Sequence, residues 1–224
     1  MNKEKIISVI VLVVVAGAVA GLGFWGYKAK PAVTNVASVA KVNGVSITQS
    51  AYDAQLASVI ATLKAQGTDT ESADNQTQIR AQVLEDLINN ELVAQQVIKA
   101  GISASEADIE AQFQILVTQA GDLEKLNAQL TASNLTETQL RANIRTQLEI
   151  QAYLLKNIDI SSATASDAEA KAFYDTNVKT QADAPAYKDI VEQIKQQIIA
   201  NKQQALVNTF IASLRESATV EKTI

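Results

Sequence analysis

Two residue types are missing altogether: the 224-residue chain has no cysteine and no histidine. Without cysteine there is no disulfide, no thiolate metal site and no lipidated cysteine of a bacterial lipoprotein. Without histidine the commonest general base is gone, and with it the Ser-His-Asp constellation and the familiar zinc motifs. Carboxylate and lysine chemistry survive this exclusion; most hydrolase mechanisms do not. Only 2 prolines and 8 glycines punctuate the chain, as a helical protein requires. The glycines fall mostly in the first apolar run and at helix ends, so no phosphate-cradling loop is present and no nucleotide or other cofactor is expected. A basic stripe is lacking too. The formal net charge is −5, and setting aside Lys3, Glu4, Lys5, Lys28 and Lys30 leaves 15 basic against 23 acidic residues, a net −8. An acidic domain without a basic face is a poor partner for nucleic acid.

What the chain does have is one long helical pattern near its C-terminal side. From Ala186 to Ser217, the residues Tyr187, Ile190, Val191, Ile194, Ile198, Val207, Phe210, Ile211 and Leu214 are spaced by threes, fours and sevens. That spacing draws a single apolar stripe along one helix face. Pro185 stands where a helix tolerates proline, and the helix would run roughly 45 Å. Such a stripe needs a cover, because helices are held mainly by packing an apolar face. The expectation is an all-α domain with this helix as its spine.

At the other end, Met1–Lys5 is short and basic, and Ile6–Tyr27 gives 22 uncharged residues before Lys28 and Lys30. A run of that length crosses a ~30 Å hydrocarbon layer as a helix. Trp25 and Tyr27 sit at its outer end, where amphipathic rings favour the membrane interface. The alternative is a signal peptide cleaved after Ala18-Val19-Ala20, yet the apolar run continues through Leu22, Phe24 and Trp25. The segment is therefore read as an uncleaved anchor: residues 1–5 cytoplasmic, 6–27 transmembrane, 28–37 a linker, and 38–224 the main domain.

Within that domain, Val39–Val42 and Val45–Thr48 flank Asn43-Gly44, a strong hairpin signal because both turn positions need positive φ. A lone hairpin is marginal, and the alternating segment Ala218–Ile224 is the natural third strand. Thr48 or Ser50 caps a helix through Tyr52, Leu56, Val59 and Leu63 that stops at Gly67. A polar loop spans Gly67–Gln76. A central helix follows from about Thr77 to Ala100. Ser103-Ala-Ser-Glu106 reads as a capping box before Ile109, Phe113 and Val117, a short helix runs from Leu123 to Leu130, and Thr136 caps another. Ser166-Asp-Ala-Glu169 is a second capping box, before Phe173 and Tyr174.

No catalytic, cofactor-binding or metal-ligating set emerges. Glu106, Asp108 and Glu110 lie in a first helical turn, where acids offset the dipole. Arg141 and Arg145 share a helix face with Glu137, which suits a surface ion pair or an arginine reaching a helix C-terminus or a buried carboxylate to fix helix order. The residues left as a candidate peptide-binding or core apolar face are Tyr52, Leu56, Val59, Phe113, Val117, Tyr187, Ile194 and Phe210.

Four stretches, in order, resemble the N-terminal chaperone domain of the periplasmic SurA/PpiD/PrsA family. Val39-Ala-Lys-Val-Asn-Gly-Val-Ser-Ile-Thr48 is similar to that family's opening V-A-x-V-N-G-x-x-I-T. The stretch Asn134 to Leu148 is similar to its G-L-T-x-x-x-L-R-x-x-I-R-x-Q-L helix, and Ser166 to Asn177 to S-D-x-E-x-x-x-Y-Y-x-x-N. Ile194 to Ile198 with Lys202 to Val220 is similar to its closing helix and strand. The resemblance covers about 38–224 and implies a mainly helical fold with a small sheet joining its two ends. Relatives carry a parvulin prolyl-isomerase domain where this chain has only Val178–Tyr187, so the resemblance implies the chaperone module without that catalytic insert. The implied activity is an ATP-independent holdase on the extracytoplasmic side of the plasma (inner) membrane, tethered by its first helix and binding unfolded or nascent secreted and envelope proteins. The competing readings are an adaptor that binds one partner or self-dimerises, and an active isomerase. Breadth of clients separates holdase from adaptor.

Overall fold

In the computed structural model, which describes residues 37–224 apart from Asn134 and Ala182, Asn43 and Gly44 adopt φ of 52° and 83°. Two successive positive φ values match the twist of flanking strands, and asparagine and glycine are the residues that accept them. They close the hairpin of β1 (Ser38–Val42) and β2 (Val45–Thr48), in which Ala40 lies opposite Ile47 and Val42 opposite Val45. The third strand, β3 (Val220–Lys222), pairs antiparallel with the other edge of β1, setting Val42 against Val220 and Ala40 against Lys222. The expected three-stranded sheet is present, with the order β2-β1-β3.

Seven α-helices follow among the described residues: α1 (Gln49–Ala65), α2 (Ala73–Lys99), α3 (Glu106–Ala120), α4 (Leu123–Ala132), α5 (Glu137–Asn157), α6 (Asp167–Asn177) and α7 (Tyr187–Glu216). Their ends are set by local chemistry. The Thr48 hydroxyl accepts from the Ala51 amide at 3.2 Å to start α1. Thr136 and Gln139 exchange hydrogen bonds reciprocally to start α5, and Ser166 and Glu169 complete the expected capping box of α6. Gly67, Gly101 and Gly121, just past the ends of three helices, have φ of 77°, 64° and 105°.

Two boundaries differ from expectation. The α2 helix begins at Ala73, inside the stretch read as loop. Ser72 accepts from the Asn75 amide and Asp69 from those of Glu71 and Ser72, so residues that look loop-like form a cap and a first turn. The α3 helix is capped by Ser105, which accepts from Asp108 at 3.1 Å, rather than by Ser103. Asp108, at the third helical position, accepts from the Ser105 hydroxyl at 2.6 Å, so the expected reciprocal bond to the cap's backbone amide is not made.

The described residues form two compact units, one of 37–153 with 213–224 and the other of 154–212. The larger has two apolar cores. One joins Val39, Val42 and Ile47 of the sheet to Tyr52 and Leu56 of α1 and to Val83, Leu87, Ile88 and Leu92 of α2. The other is a three-helix cluster of Ile109 and Phe113 from α3, Leu126 and Leu130 from α4, and Leu140 and Ile144 from α5. The smaller unit contains α6 and most of α7. The expected spine helix exists with its full length, but only Ile194, Gln203 and Val207 along it are buried. Its apolar residues do not form the expected single stripe. The nine-residue step from Ile198 to Val207, across the polar Asn201–Gln204, turns Val207, Phe210, Ile211 and Leu214 about half a turn away from Tyr187–Ile198. The members other than Ile194 and Val207 are half-buried, so the helix is not the axis of a single core.

The apolar run Ile6–Tyr27, its flanking residues, and Trp25 and Tyr27 lie outside the described residues. Among the described residues no helix is long and apolar enough to cross a membrane.

Candidate functional site

The eight apolar residues singled out above divide among three places. Tyr52 and Leu56 are in the sheet-side core of the larger unit, with Val59 packed against it half-buried. The Tyr52 hydroxyl donates to the Arg80 carbonyl at 3.2 Å, which locks α1 onto α2. Phe113 belongs to the three-helix core, with Val117 against it. Tyr187, Ile194 and Phe210 lie on α7, where Ile194 is buried and the other two half-buried. No single face gathers all eight. Tyr52, Leu56, Phe113 and Ile194 are core side chains, which leaves Val59, Val117, Tyr187 and Phe210 partly accessible.

On α7 the half-buried members continue: Ile190, Val191, Ile198, Ile199, Leu206 and Ile211 accompany Tyr187 and Phe210. In the smaller unit the Tyr187–Ile198 side of the helix is positioned by α6. The Tyr174 and Tyr187 rings meet edge-on with centroids 5.4 Å apart, and Lys171 Nζ stands 5.9 and 5.8 Å from the two ring centres. The Tyr174 hydroxyl donates to the Pro185 carbonyl at 2.8 Å and that of Tyr187 to the Asp167 carbonyl at 3.3 Å. Lys195 pairs with Asp167 at 2.6 Å, and Lys202 reaches both Glu169 and the Thr164 carbonyl. Lys202 and then the Ser166 amide hold the Glu169 carboxyl down at about 2. These ties fix the start of α6 against α7.

The arginines do what was expected of them in part. Arg141 pairs with Glu137 at 2.7 Å along its own helix. It also crosses to Glu110 at 2.7 Å, while Arg145 reaches Glu106, so two arginines of α5 grip two carboxylates of α3, Glu106 in its first turn and Glu110, contrary to expectation, just beyond it. The carboxylates are exposed rather than buried, and they sit at a helix start rather than its end. The Arg141 guanidinium also lies 3.9 Å from the centre of the Phe113 ring. The pair therefore fixes helix order in the three-helix cluster.

Two polar features had no sequence signal. Glu85 of α2 accepts from both Arg215, at the end of α7, and Lys222 of β3. Partial burial alone would raise the Glu85 carboxyl, but the two cations outweigh it and hold it below the ordinary range. Next to it, burial pushes Asp86 up. Asn43 is more than a turn residue: its Nδ2 donates to Gln95 of α2 at 2.8 Å and its Oδ1 accepts from the Thr219 amide at 2.9 Å. Among the described residues no three carboxylates converge as a metal site. The ion pairs above tie helix to helix and strand to helix.

A profile of the SurA-like N-terminal domain matches residues 1–154. The chain belongs to the SurA-like N-terminal domain family. Foldase protein PrsA of two Clostridium perfringens strains is 29% identical over 152 residues, a match that spans 62% of this chain and 42% of each relative. The chain thus aligns with less than half the length of those curated relatives. Among solved structures it is similar in fold to one described with the virulence factor PEB4 and the periplasmic protein Cj1289, two SurA-like chaperones of Campylobacter jejuni. That match has a TM-score of 0.54 at 16% identity and covers 83% of this chain and 98% of the other. The SurA-like profile accounts for the hairpin and α1 to α5, whereas the structural likeness extends over more of the chain.

Proposed function

We propose that this SurA-like chain is an ATP-independent holdase that binds unfolded or newly translocated polypeptides outside the cytoplasm. The observation that carries the reading is the half-buried apolar surface of α7, a 30-residue helix, where Tyr187 to Ile198 form one group and Val207 to Leu214 a second on the opposite side. Accessible apolar patches mark partner sites. Two separate apolar patches along one helix suit many extended or collapsed segments better than one shaped ligand. Tyr187 and Phe210 are the aromatic contacts, one in each group, with Val59 and Val117 as accessible apolar positions on the larger unit. Residues 38–224 act as one chaperone module, and Ile6–Tyr27 tethers it to the plasma membrane, raising its effective concentration near emerging chains. Family membership and the names of the C. perfringens foldases and the Campylobacter chaperones support the same direction.

The reading is of a binding protein and not an isomerase. Lowering an X-Pro barrier of ~18–20 kcal/mol needs a pocket built around the twisted imide. Only residues 178–186 connect α6 to α7, and no histidine is available to line such a pocket. The test is aggregation suppression of several unrelated unfolded proteins by the purified fragment from Pro31 onward, beside a protease-coupled proline-peptide assay. Suppression without isomerisation is expected. Accelerated isomerisation would restore the enzyme reading, and suppression of one client alone would favour an adaptor.

A further inference from the structure

The sheet of the larger unit is completed in an unusual way. The central strand β1 has Val39, Ala40 and Val42 fully buried, so it is integral to the core. Its outer edge is paired with β3, which is three residues long and reaches β1 from far along the chain. The β3 strand brings one side chain to the core: Val220 packs half-buried against it, as Ala218 does just before the strand, while Glu221, Lys222 and Thr223 are exposed and Ile224 is 62% exposed. What holds it is mainly backbone. Asn43 donates to the Thr219 carbonyl at 2.8 Å, and Thr223 donates to that of Val39 at 2.9 Å. Two accessible side-chain ties add to this, Lys222 to Glu85 and the Thr219 amide to Asn43 Oδ1. An edge read through main-chain hydrogen bonds is nearly indifferent to sequence, which is how strand-addition sites bind peptides.

We infer that the β1 edge is a strand-acceptor site for extended client segments, occupied at rest by the chain's own β3 as a stand-in. This rests on the chaperone reading and names the class of segment taken. Opposite Val42 the site takes a β-branched residue, as Val220 shows. Two positions further on it takes a lysine or arginine, because Glu85 faces Lys222 there. The favoured client segment is therefore extended and basic, with the pattern β-branched, any residue, basic. Acidic extended segments are rejected by Glu85. The charge of the larger unit favours the same choice, since residues 37–153 and 213–224 hold 9 basic and 16 acidic residues.

The absence of native cysteine makes a reversible lock available. Lys41 and Glu221 stand opposite each other across β1 and β3, and both are exposed. Directly opposed residues in such a pair have Cα atoms ~5.5 Å apart or closer, within the span a disulfide bridges. In the full chain carrying K41C and E221C, oxidation pins β3 in place and reduction frees it. The probes are a labelled peptide copying Ala218–Ile224, the same peptide with glutamate at its lysine position, and an unfolded cysteine-free protein. The reduced form is expected to bind the first peptide and hold the client. Oxidation should weaken both by about tenfold or more, the scale of an intramolecular competitor made permanent. The glutamate peptide should bind more weakly than its parent. A second variant, Lys222→Gln, removes the claim of β3 on Glu85 and leaves the site intact, so it should bind the lysine peptide several-fold more tightly than the unsubstituted chain. Equal client binding in the oxidised and reduced forms would overturn the inference while leaving the holdase reading standing. Failure to hold clients in either form would sink both.

Discussion

Replacing Phe113 by alanine separates a core role from a client-facing one. The side chain is 2% exposed and packs among Ile109, Leu126, Leu130, Leu140 and Ile144, with the Arg141 guanidinium over its ring. Truncating a buried phenylalanine costs about 3–5 kcal/mol, the transfer term plus the cavity left behind. For a domain of this size that corresponds to a fall in Tm of roughly 6–20 °C. Val117 offers the internal comparison. It is half-buried at the margin of the same cluster, and removing two methyl groups worth ~0.8 kcal/mol each when fully buried should cost about 1 kcal/mol. Thermal and urea unfolding followed by far-UV circular dichroism give the magnitudes, and hydrogen exchange across α3, α4 and α5 locates the loss. Client affinity of the folded Phe113→Ala protein should equal that of the parent. A Phe113→Ala protein of nearly unchanged stability that binds clients poorly would refute the argument and return Phe113 to the binding surface.

Deleting Thr219–Ile224 should remove β3, uncover the edge of β1 and leave Glu85 without Lys222. A loss above ~1 kcal/mol is expected, and an unchanged denaturation midpoint would count against the pairing. Acid should act at the start of α6. The Glu169 carboxyl is held at about 2 against an ordinary 4.5, so its contribution is complete above pH 4.5 and is lost as pH falls towards 2. Glu169→Gln should remove that acid transition in far-UV circular dichroism, and an identical acid profile for both proteins would contradict the assignment. At the other end, intact mass of the membrane-extracted protein is expected to include Met1 or Asn2, whereas a mature N-terminus at Gly21 would mean cleavage.

How much of this was legible beforehand depended on the range of the interaction. Asn43-Gly44, Thr48, Gly67, Gly101, Gly121 and the Ser166–Glu169 box each encode their structure within four residues, and each behaves as read. The loop misread before Ala73 has the same origin, since asparagine, aspartate and serine serve loops and first turns equally well. Periodicity located the apolar positions of α7, but counting threes and fours passed over the nine-residue step that turns them to two sides and carried no information about what covers them. Long-range charge pairs have no local trace at all. The link of Glu85 to Arg215 and Lys222 bridges 130 and 137 positions, and any of 19 cations could have served on sequence grounds. The candidate binding residues were blurred for a related reason: a buried Tyr52 and a half-buried Val59 occupy the same stripe and differ only in what lies above them.

The late arrival of β3 has a kinetic side. Thr219 follows Asn43 by 176 positions, so at ~5–20 residues per second the ribosome delivers its partner roughly 10–35 s after the hairpin has been made. Joining strands that far apart also carries the loop-closure entropy and high contact order that slow folding. Through that interval β1 has one satisfied edge and one open. The protein thus passes through a stage in which it presents the same unpaired strand edge as the aggregation-prone chains it is proposed to hold.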